Sequence, residues 1–297
     1  MASTDSRRAE ADIRDLAGLE AGLDALEEVR TRHTPVGRFL LRKTLPPALA
    51  TGLVLLVWYL VCALGLVSAE KLPSPGAVGG SFRTLWYQGT LFGIVWTSLE
   101  RGLYGFLAAL GLGSVLGLVV ARVPFVRAAV GPLLTGLQSL PSVAWVPAAV
   151  MWLGLTDSAM YTVILLGAAP SVANGLVAGI DHVPPLHLRA GRVIGADGLR
   201  GVRHVLLPAA LPGYMAGLKQ GWAFSWRSLM AAELIASSPD LGVGLGRYLE
   251  NSRESIDMPG VFAGILLILV IGVAIDLIVF CPLERRIRRV RGLLAAS

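Results

Sequence analysis

Five ionisable residues, Arg101, Lys219, Arg227, Glu233 and Asp276, lie inside long apolar runs. A charge in that setting is costly unless it is paired or wet. Arg101 and Glu233 carry the opposite charges of a structural ion pair, or snorkel to an interface. Lys219 and Arg227 share one run with no acid nearby in sequence except Glu233. They either attract an anion or are paired and solvated in a water-filled space. Gln138, Ser139 and Asn174 add uncharged groups to two further runs and could solvate a polar molecule there. Trp222 and Trp226 stand one helical turn apart and share a face, where they either pack or narrow a passage.

Residue sets that would carry covalent chemistry are missing from the sequence. The only lysines follow Arg42, Glu70 and Leu218, so no Gly-Lys-Ser/Thr phosphate loop exists. Neither a Gly-x-Ser-x-Gly elbow nor a His-Glu-x-x-His metal pair occurs, which argues against an intramembrane hydrolase. Cys62 and Cys281 each sit alone in an apolar segment and read as small hydrophobes, with no disulfide or metal pairing.

The elements that must position these residues are set by composition. The chain has 297 residues, 54% hydrophobic and only 15% charged, with a mean hydropathy of +0.66; soluble domains carry about 25% charged residues. Six windows, 46–68, 91–121, 129–154, 159–180, 208–236 and 259–283, each reach the roughly 20 apolar residues that cross a bilayer. Backbone groups in lipid must be satisfied internally, so an all-α integral membrane fold with six transmembrane helices follows, Pro141 and Pro147 marking bends in the third.

Charge gives the orientation. Arginines and lysines from Arg7 to Lys43, then Arg122 and Arg127, Arg189, Arg192, Arg200 and Arg203, and Arg285 to Arg291 fall on one side; Lys71, Arg83, Arg247 and Arg253 fall on the other. The positive-inside bias predicts a multi-pass cell-membrane protein with both termini cytoplasmic. The net charge of +6 is thus a matter of topology and implies no nucleic-acid partner.

Three divisions follow: a cytosolic arm over 1–45, a membrane domain over 46–283 with a cytoplasmic loop at 181–207, and a basic cytosolic tail over 284–297. In the arm, Ile13, Leu16, Leu19, Leu23, Leu26 and Val29 predict a short amphipathic helix, and its acidic start and lack of an early apolar core argue against a signal peptide. Gly213, Gly217 and Gly221, with Gly113 and Gly117 as a weaker set, predict close helix approach, either inside the bundle or at an interface.

The loop is the most informative stretch. Arg189-Ala190-Gly191 is followed after three residues by Gly195, and after nine more by Val205-Leu206-Leu207-Pro208. Ala190, Gly191 and Ala196 are small enough for a helix fitted into a groove, Gly195 can take a positive φ to end it, and Pro208 suits the first turn of a helix. This spacing resembles the EAA loop of ABC import permeases: Glu-Ala-Ala, three residues, Gly, nine residues, Ile-x-Leu-Pro. Arg189 stands where the family has glutamate, and Gly191 where it has its second alanine.

Leu72-Pro73-Ser74-Pro75, Ser98-Leu99-Glu100-Arg101-Gly102, Ser139-Leu140-Pro141 and Ala231-Ala232-Glu233 extend the resemblance over about 46–285, to the permeases of sulfonate, taurine, nitrate and bicarbonate importers. The resemblance implies the type I importer permease (MetI-like) fold, with a coupling helix near 186–196 lying in a cleft of a separate ATP-hydrolysing subunit. Arg189, Ala190, Gly191, Gly195, Ala196, Leu207 and Pro208 form that ATPase-coupling loop.

It further implies a pair of identical permease chains over two ATP-binding subunits that carry ATP and Mg, an external solute-binding protein, and no cofactor on this chain. Gln138, Ser139, Asn174, Lys219, Trp222, Trp226 and Arg227 are its pathway candidates. A permease for a pyrimidine-type vitamin precursor shares much of this pattern, and a secondary transporter or channel would lack the docking loop.

Overall fold

The computed structural model describes residues 36–193, 195–236 and 241–291, with side chains from Leu45 onward except that of Leu199. The predicted amphipathic helix of the arm lies outside these residues. Contacts divide the chain into Met1–Val57 with Gly292–Ser297, and Trp58–Arg291. Of the first unit the described part belongs to α1 (Val36–Ala63), which carries Pro46 and Pro47; all else below concerns the second. There the end of α1 is tied down by Trp58, whose Nε1 donates to Pro73 O at 3.0 Å and whose ring stacks on Phe262.

The second unit continues with α2 (Pro75–Tyr87), α3 (Leu91–Arg122), α4 (Pro124–Ser139), α5 (Val146–Leu153), α6 (Asp157–Asp181), α7 (Pro185–Val193), α8 (Gly198–Gly201), α9 (Leu207–Ile235), α10 (Leu245–Glu254), α11 (Met258–Ile275) and α12 (Cys281–Val290). Ser74 caps α2, its Oγ accepting from Ala77 N at 3.2 Å, with Pro75 in the first turn where no donor is needed.

Helix α6 is the centre, because glycines let its neighbours approach backbone to backbone. A Cβ on Gly113 or Gly117 of α3 would strike Ala169 O or Ala173 O, both at 2.7 Å, and one on Gly175 would land on the Cα of Gly217 in α9. Gly213 meets Gly179, and Gly221 meets Val172. The glycine stripes found in the sequence are therefore used inside the bundle, against α6. Van der Waals packing is the main attraction available between helices in lipid, and small residues maximise it.

Prolines explain the irregular segments. Leu140, held extended at φ −74 and ψ 131 by the following Pro141, ends α4; a 3₁₀ turn, Ser142–Trp145, leads into α5, and the pair bends by 100°. Arg127, at the start of α4, bonds Asp181 at one end of α6, while Val146 and Ala149 of α5 pack with Ala159, Met160 and Val163 at its other end. The pair thus runs the length of α6 as one broken span, where the sequence suggested a single bent helix over 129–154.

Two π turns, Val202–Leu206 and Asp276–Phe280, each come just before a proline, Pro208 and Pro282. Widening the turn relieves the clash of the ring with the carbonyl four residues back and absorbs the missing donor. Pro208 lies in the first turn of α9, where its missing donor is tolerated, and the helical run continues back through the π turn to Gly198.

Among the described residues four helices are long and apolar enough to cross a membrane, Leu45–Ala63, Leu91–Arg122, Asp157–Asp181 and Met258–Val290; the bent pair makes five. The remaining window, 208–236, is the 29-residue α9. It is long enough to cross, but Lys219, Arg227 and Glu233 make it more polar than the others, so six spans are compatible with the fold and five meet the apolar criterion.

Candidate functional site

The loop at 181–207 folds into the nine-residue α7 and a tight return. Gly195 takes φ +79 and donates to Arg192 O at 3.0 Å, while Ala196 N donates to Gly191 O at 2.9 Å; a left-handed residue just past the last turn is how helices commonly stop. Gly191 is buried, and a Cβ there would stand 2.9 Å from Val205 Cγ2. This accounts for glycine where the EAA pattern has alanine: Val205, the start of the Val-Leu-Leu-Pro element, fills that space.

The other side of α7 is uncovered. Leu186 and Val193 are 73% and 87% exposed, and Arg189 and Ala190 are exposed between them. Positions 186, 189, 190 and 193 fall on one helical face. Below it, Leu188 packs on the cluster of Val183, Val202, Leu206 and Ala210. Leu207 and Pro208 lie beyond, at the head of α9.

A second constellation lies at the opposite end of the bundle. Glu233, 1% exposed, accepts from Ser98 Oγ at 2.7 and 2.9 Å, from Gly246 N at 3.0 Å and from Arg101 Nη1 at 3.3 Å. Arg101, 6% exposed, also donates from Nε to Asp157 at 2.8 Å and to Leu241 O. Ser98 Oγ in turn accepts from Leu245 N at 2.8 Å. One carboxylate thus ties α3, α9 and the start of α10, with α6 joined through Arg101. Gly244 and Gly246 leave room for it, since a Cβ on either would press against Glu233.

Lys219 Nζ bonds Asp276 at 2.8 Å, both half exposed, so this cation has a partner that only the fold supplies. Arg227 is exposed, sits 4.6 Å over the Phe224 ring and donates to Ala223 O; among the described residues it has no carboxylate partner. Trp222 and Trp226 stack at 6.1 Å and are buried in the core with Phe106, Leu229 and Phe280. Asn174 Nδ2 donates to Gln138 Oε1 at 2.7 Å, joining α6 to the end of α4, and Ser139 is exposed at the break.

Residues 109–289 match the model of the family described as binding-protein-dependent transport system inner membrane component. The chain belongs to that family. It is 31% identical to the taurine transport system permease protein of Escherichia coli, covering 76% of this chain and 82% of the relative. It is 30% identical to a Bacillus subtilis permease protein named for aliphatic sulfonates transport, covering 82% and 87%. A nitrate import permease protein of Synechocystis is 27% identical, covering 83% and 90%.

In fold the permease is similar to a chain of the MetNI methionine ABC transporter in an inward-facing form, with a TM-score of 0.57, 19% identity, and 66% of this chain and 95% of that one covered. The permease is therefore a multi-pass membrane subunit of an ABC transporter and not an enzyme; ATP hydrolysis belongs to a separate subunit.

Several polar groups of the permease escaped sequence reasoning. Ser171, Ser225 and Ser228 are buried with no partner for Oγ among the described residues. Ser228 and Ser142, the latter in the broken span's 3₁₀ turn, both press against Gly167. Gly167, Ser171 and Asn174 recur at helical spacing on one face of α6. With Gln138 and Ser139 they form an uncharged polar belt at the level of the break. The signal available in the sequence was serine at the spacing of Gly167 and Asn174, unreadable until the facing helix was known.

Proposed function

We propose that two copies of this permease form the transmembrane pathway for a small oxyanion, delivered by an external solute-binding protein and driven by a pair of ATP-binding subunits that carry ATP and Mg. The observation carrying this reading is the uncovered face of α7. Two large apolar side chains at 73% and 87% exposure flank Arg189 and Ala190 on a helix otherwise seated on the bundle. Such a face fits a groove on a partner, with Leu186 and Val193 as anchors. Closure of the nucleotide-bound subunits would displace α7, and Gly191 packed on Val205 passes that displacement to the run that continues into α9.

Orientation in the cell membrane, with both termini cytoplasmic, is supported by the arginines at the α7 end: Arg122, Arg127, Arg189, Arg192, Arg200 and Arg203. The arm over 1–45 and the tail over 284–297 then lie in the cytosol, and lipid surrounds the domain over 46–283. An oxyanion is supported by the relatives named for sulfonates, taurine and nitrate. Arg227, on the exposed side of α9 with Gln220, and the belt of Gln138, Ser139 and Asn174 are suited to receive one. Trp222 and Trp226 hold the bundle together, and Lys219 is matched to Asp276.

Three results are expected. Leu186→Asp combined with Val193→Asp removes two apolar anchors worth about 1.5–3 kcal/mol each when buried, so affinity for the ATP-binding subunit should fall at least about a hundredfold in a pull-down titration, with the permease itself still monodisperse. Arg189→Glu should weaken coupling of ATP hydrolysis to uptake, because the partner must present an acidic group to the native arginine; unchanged coupling removes that pairing. For the substrate, thermal shift of the cognate binding protein should respond to sulfonates, nitrate or bicarbonate, with about 2.7 kcal/mol of stabilisation at a hundredfold excess over Kd. A response to neutral pyrimidines alone would overturn the oxyanion assignment.

A further inference from the structure

Behind α7, on the side away from its exposed face, a cavity of about 280 Å³ is lined by Arg122, Leu188, Arg192, Ala196, Asp197, Gly198 and Gly201. Arg122 closes the last turn of α3 and Arg192 the last turn of α7. Neither arginine, nor Asp197, has an ion-pair partner among the described residues. The glycines keep the wall low: Gly198 takes φ +55, and Gly201 is in contact with Ala196 O.

Depth says what meets this cavity. Helix α3 has 32 residues and spans about 48 Å, well beyond the roughly 30 Å of bilayer hydrocarbon. Centred on the hydrocarbon, a helix of that length extends about 9 Å past it at each end, which would put the terminal Arg122 at headgroup depth. Arg127 and Asp181, paired at the neighbouring helix ends, are at the same end.

We propose that this cavity binds the phosphodiester headgroup of a phospholipid of the leaflet facing the α7 loop, the two arginines holding the phosphate and Asp197 accepting from a headgroup hydroxyl or ammonium. Two guanidinium groups from separate elements match a phosphodiester, for which arginine is better shaped than lysine. The single carboxylate selects headgroups that donate, so phosphatidylglycerol and phosphatidylethanolamine fit, while the quaternary choline of phosphatidylcholine offers no donor. A headgroup seated there joins the end of α3 to α7 and α8, so the lipid becomes part of the support on which the loop moves. The leaflet rests on the proposed orientation; the site itself does not.

Native mass spectrometry of the full-length permease in detergent, titrated with phosphatidylglycerol, tests this directly. A juxtamembrane arginine contributes about a fivefold factor in binding anionic lipid. Arg122→Gln with Arg192→Gln is therefore expected to weaken phosphatidylglycerol retention about 25-fold, with little change for phosphatidylcholine. Arg122→Lys with Arg192→Lys should stay within a few-fold of the native chain, which separates loss of the site from loss of the fold. Equal retention of phosphatidylglycerol by the native and doubly neutralised chains overturns the site. Displacement by millimolar inorganic phosphate overturns the lipid assignment in favour of a free anion. Uptake assays play no part in this readout, so its failure leaves the transport reading standing, and the converse holds.

Discussion

Glu233→Ala should destabilise the permease by about 3–5 kcal/mol, the cost of stranding a buried charge. Arg101 would keep only the half-exposed Asp157 and Leu241 O as partners, and the Gly246 N–H and Ser98 hydroxyl would lose their acceptor. The loss is read as a lower apparent melting temperature in detergent, followed by size-exclusion profile. Glu233→Gln keeps an acceptor oxygen and should fall between.

The double variant Arg101→Met with Glu233→Leu should be less destabilised than Glu233→Ala, because removing both buried charges is often nearly neutral where removing one is not. A Glu233→Ala chain as stable as the native one would mean that the cluster does not hold α3, α9 and α10 together.

Gly217→Leu is expected to abolish the folded bundle. A Cβ at this position lands on the Cα of Gly175 and stands 3.2–3.3 Å from that residue's C and N atoms, so backbone on both sides must move. Even Gly217→Ala should cost at least the roughly 1–3 kcal/mol typical of overpacking, since no flexible side chain can yield. Gly111, also in a long helix, faces open space with nothing within 4 Å of its added Cβ. Gly111→Ala should be neutral or stabilising by up to about 1 kcal/mol, the helix-propensity difference. The fraction remaining monodisperse after a heat step, compared across the three variants, checks both. Equal behaviour of Gly217→Leu and Gly111→Ala would refute α6–α9 contact as the spine of the fold.

Much of this architecture was readable from hydropathy, because twenty apolar residues in a row have few other uses. The windows at 91–121, 159–180 and 259–283 coincide with α3, α6 and α11, though the last helical run continues to Val290 as α12. A window average blurs a break, so Pro141 marked a bend without revealing the 100° turn between α4 and α5. For the charges in α9 the sequence left two readings open: Lys219 and Arg227 either attract an anion or are paired and solvated. Asp276, from another helical run, neutralises the first.

The same logic applies to Glu233. Ser98 and Arg101 lie in one family motif and Glu233 in another, 135 residues from Ser98. Each was legible alone, but the hub they form with the Leu245 and Gly246 amides needs the fold. Glycine spacing was equally visible and equally silent about its partner helix. In the loop, local rules carried further. Small residues, a terminating glycine and fixed spacing specify a short helix and its stop without tertiary help, while the space filled by Val205 against Gly191 appears only in three dimensions.

Force entry through α7 is most directly tested by cysteine crosslinking of the assembled transporter. Ala190→Cys, in a background with Cys62→Ala and Cys281→Ala, would be paired with single cysteines along the cleft of the ATP-binding subunit, with and without nucleotide. Crosslinking at Ala190 that shifts along the cleft between nucleotide states, with a control cysteine at Ser255 on the far side of the bundle unreactive, is the predicted result. Ala190 uncrosslinked in every nucleotide state, and labelled instead by a membrane-impermeant maleimide added outside intact cells, would contradict the account.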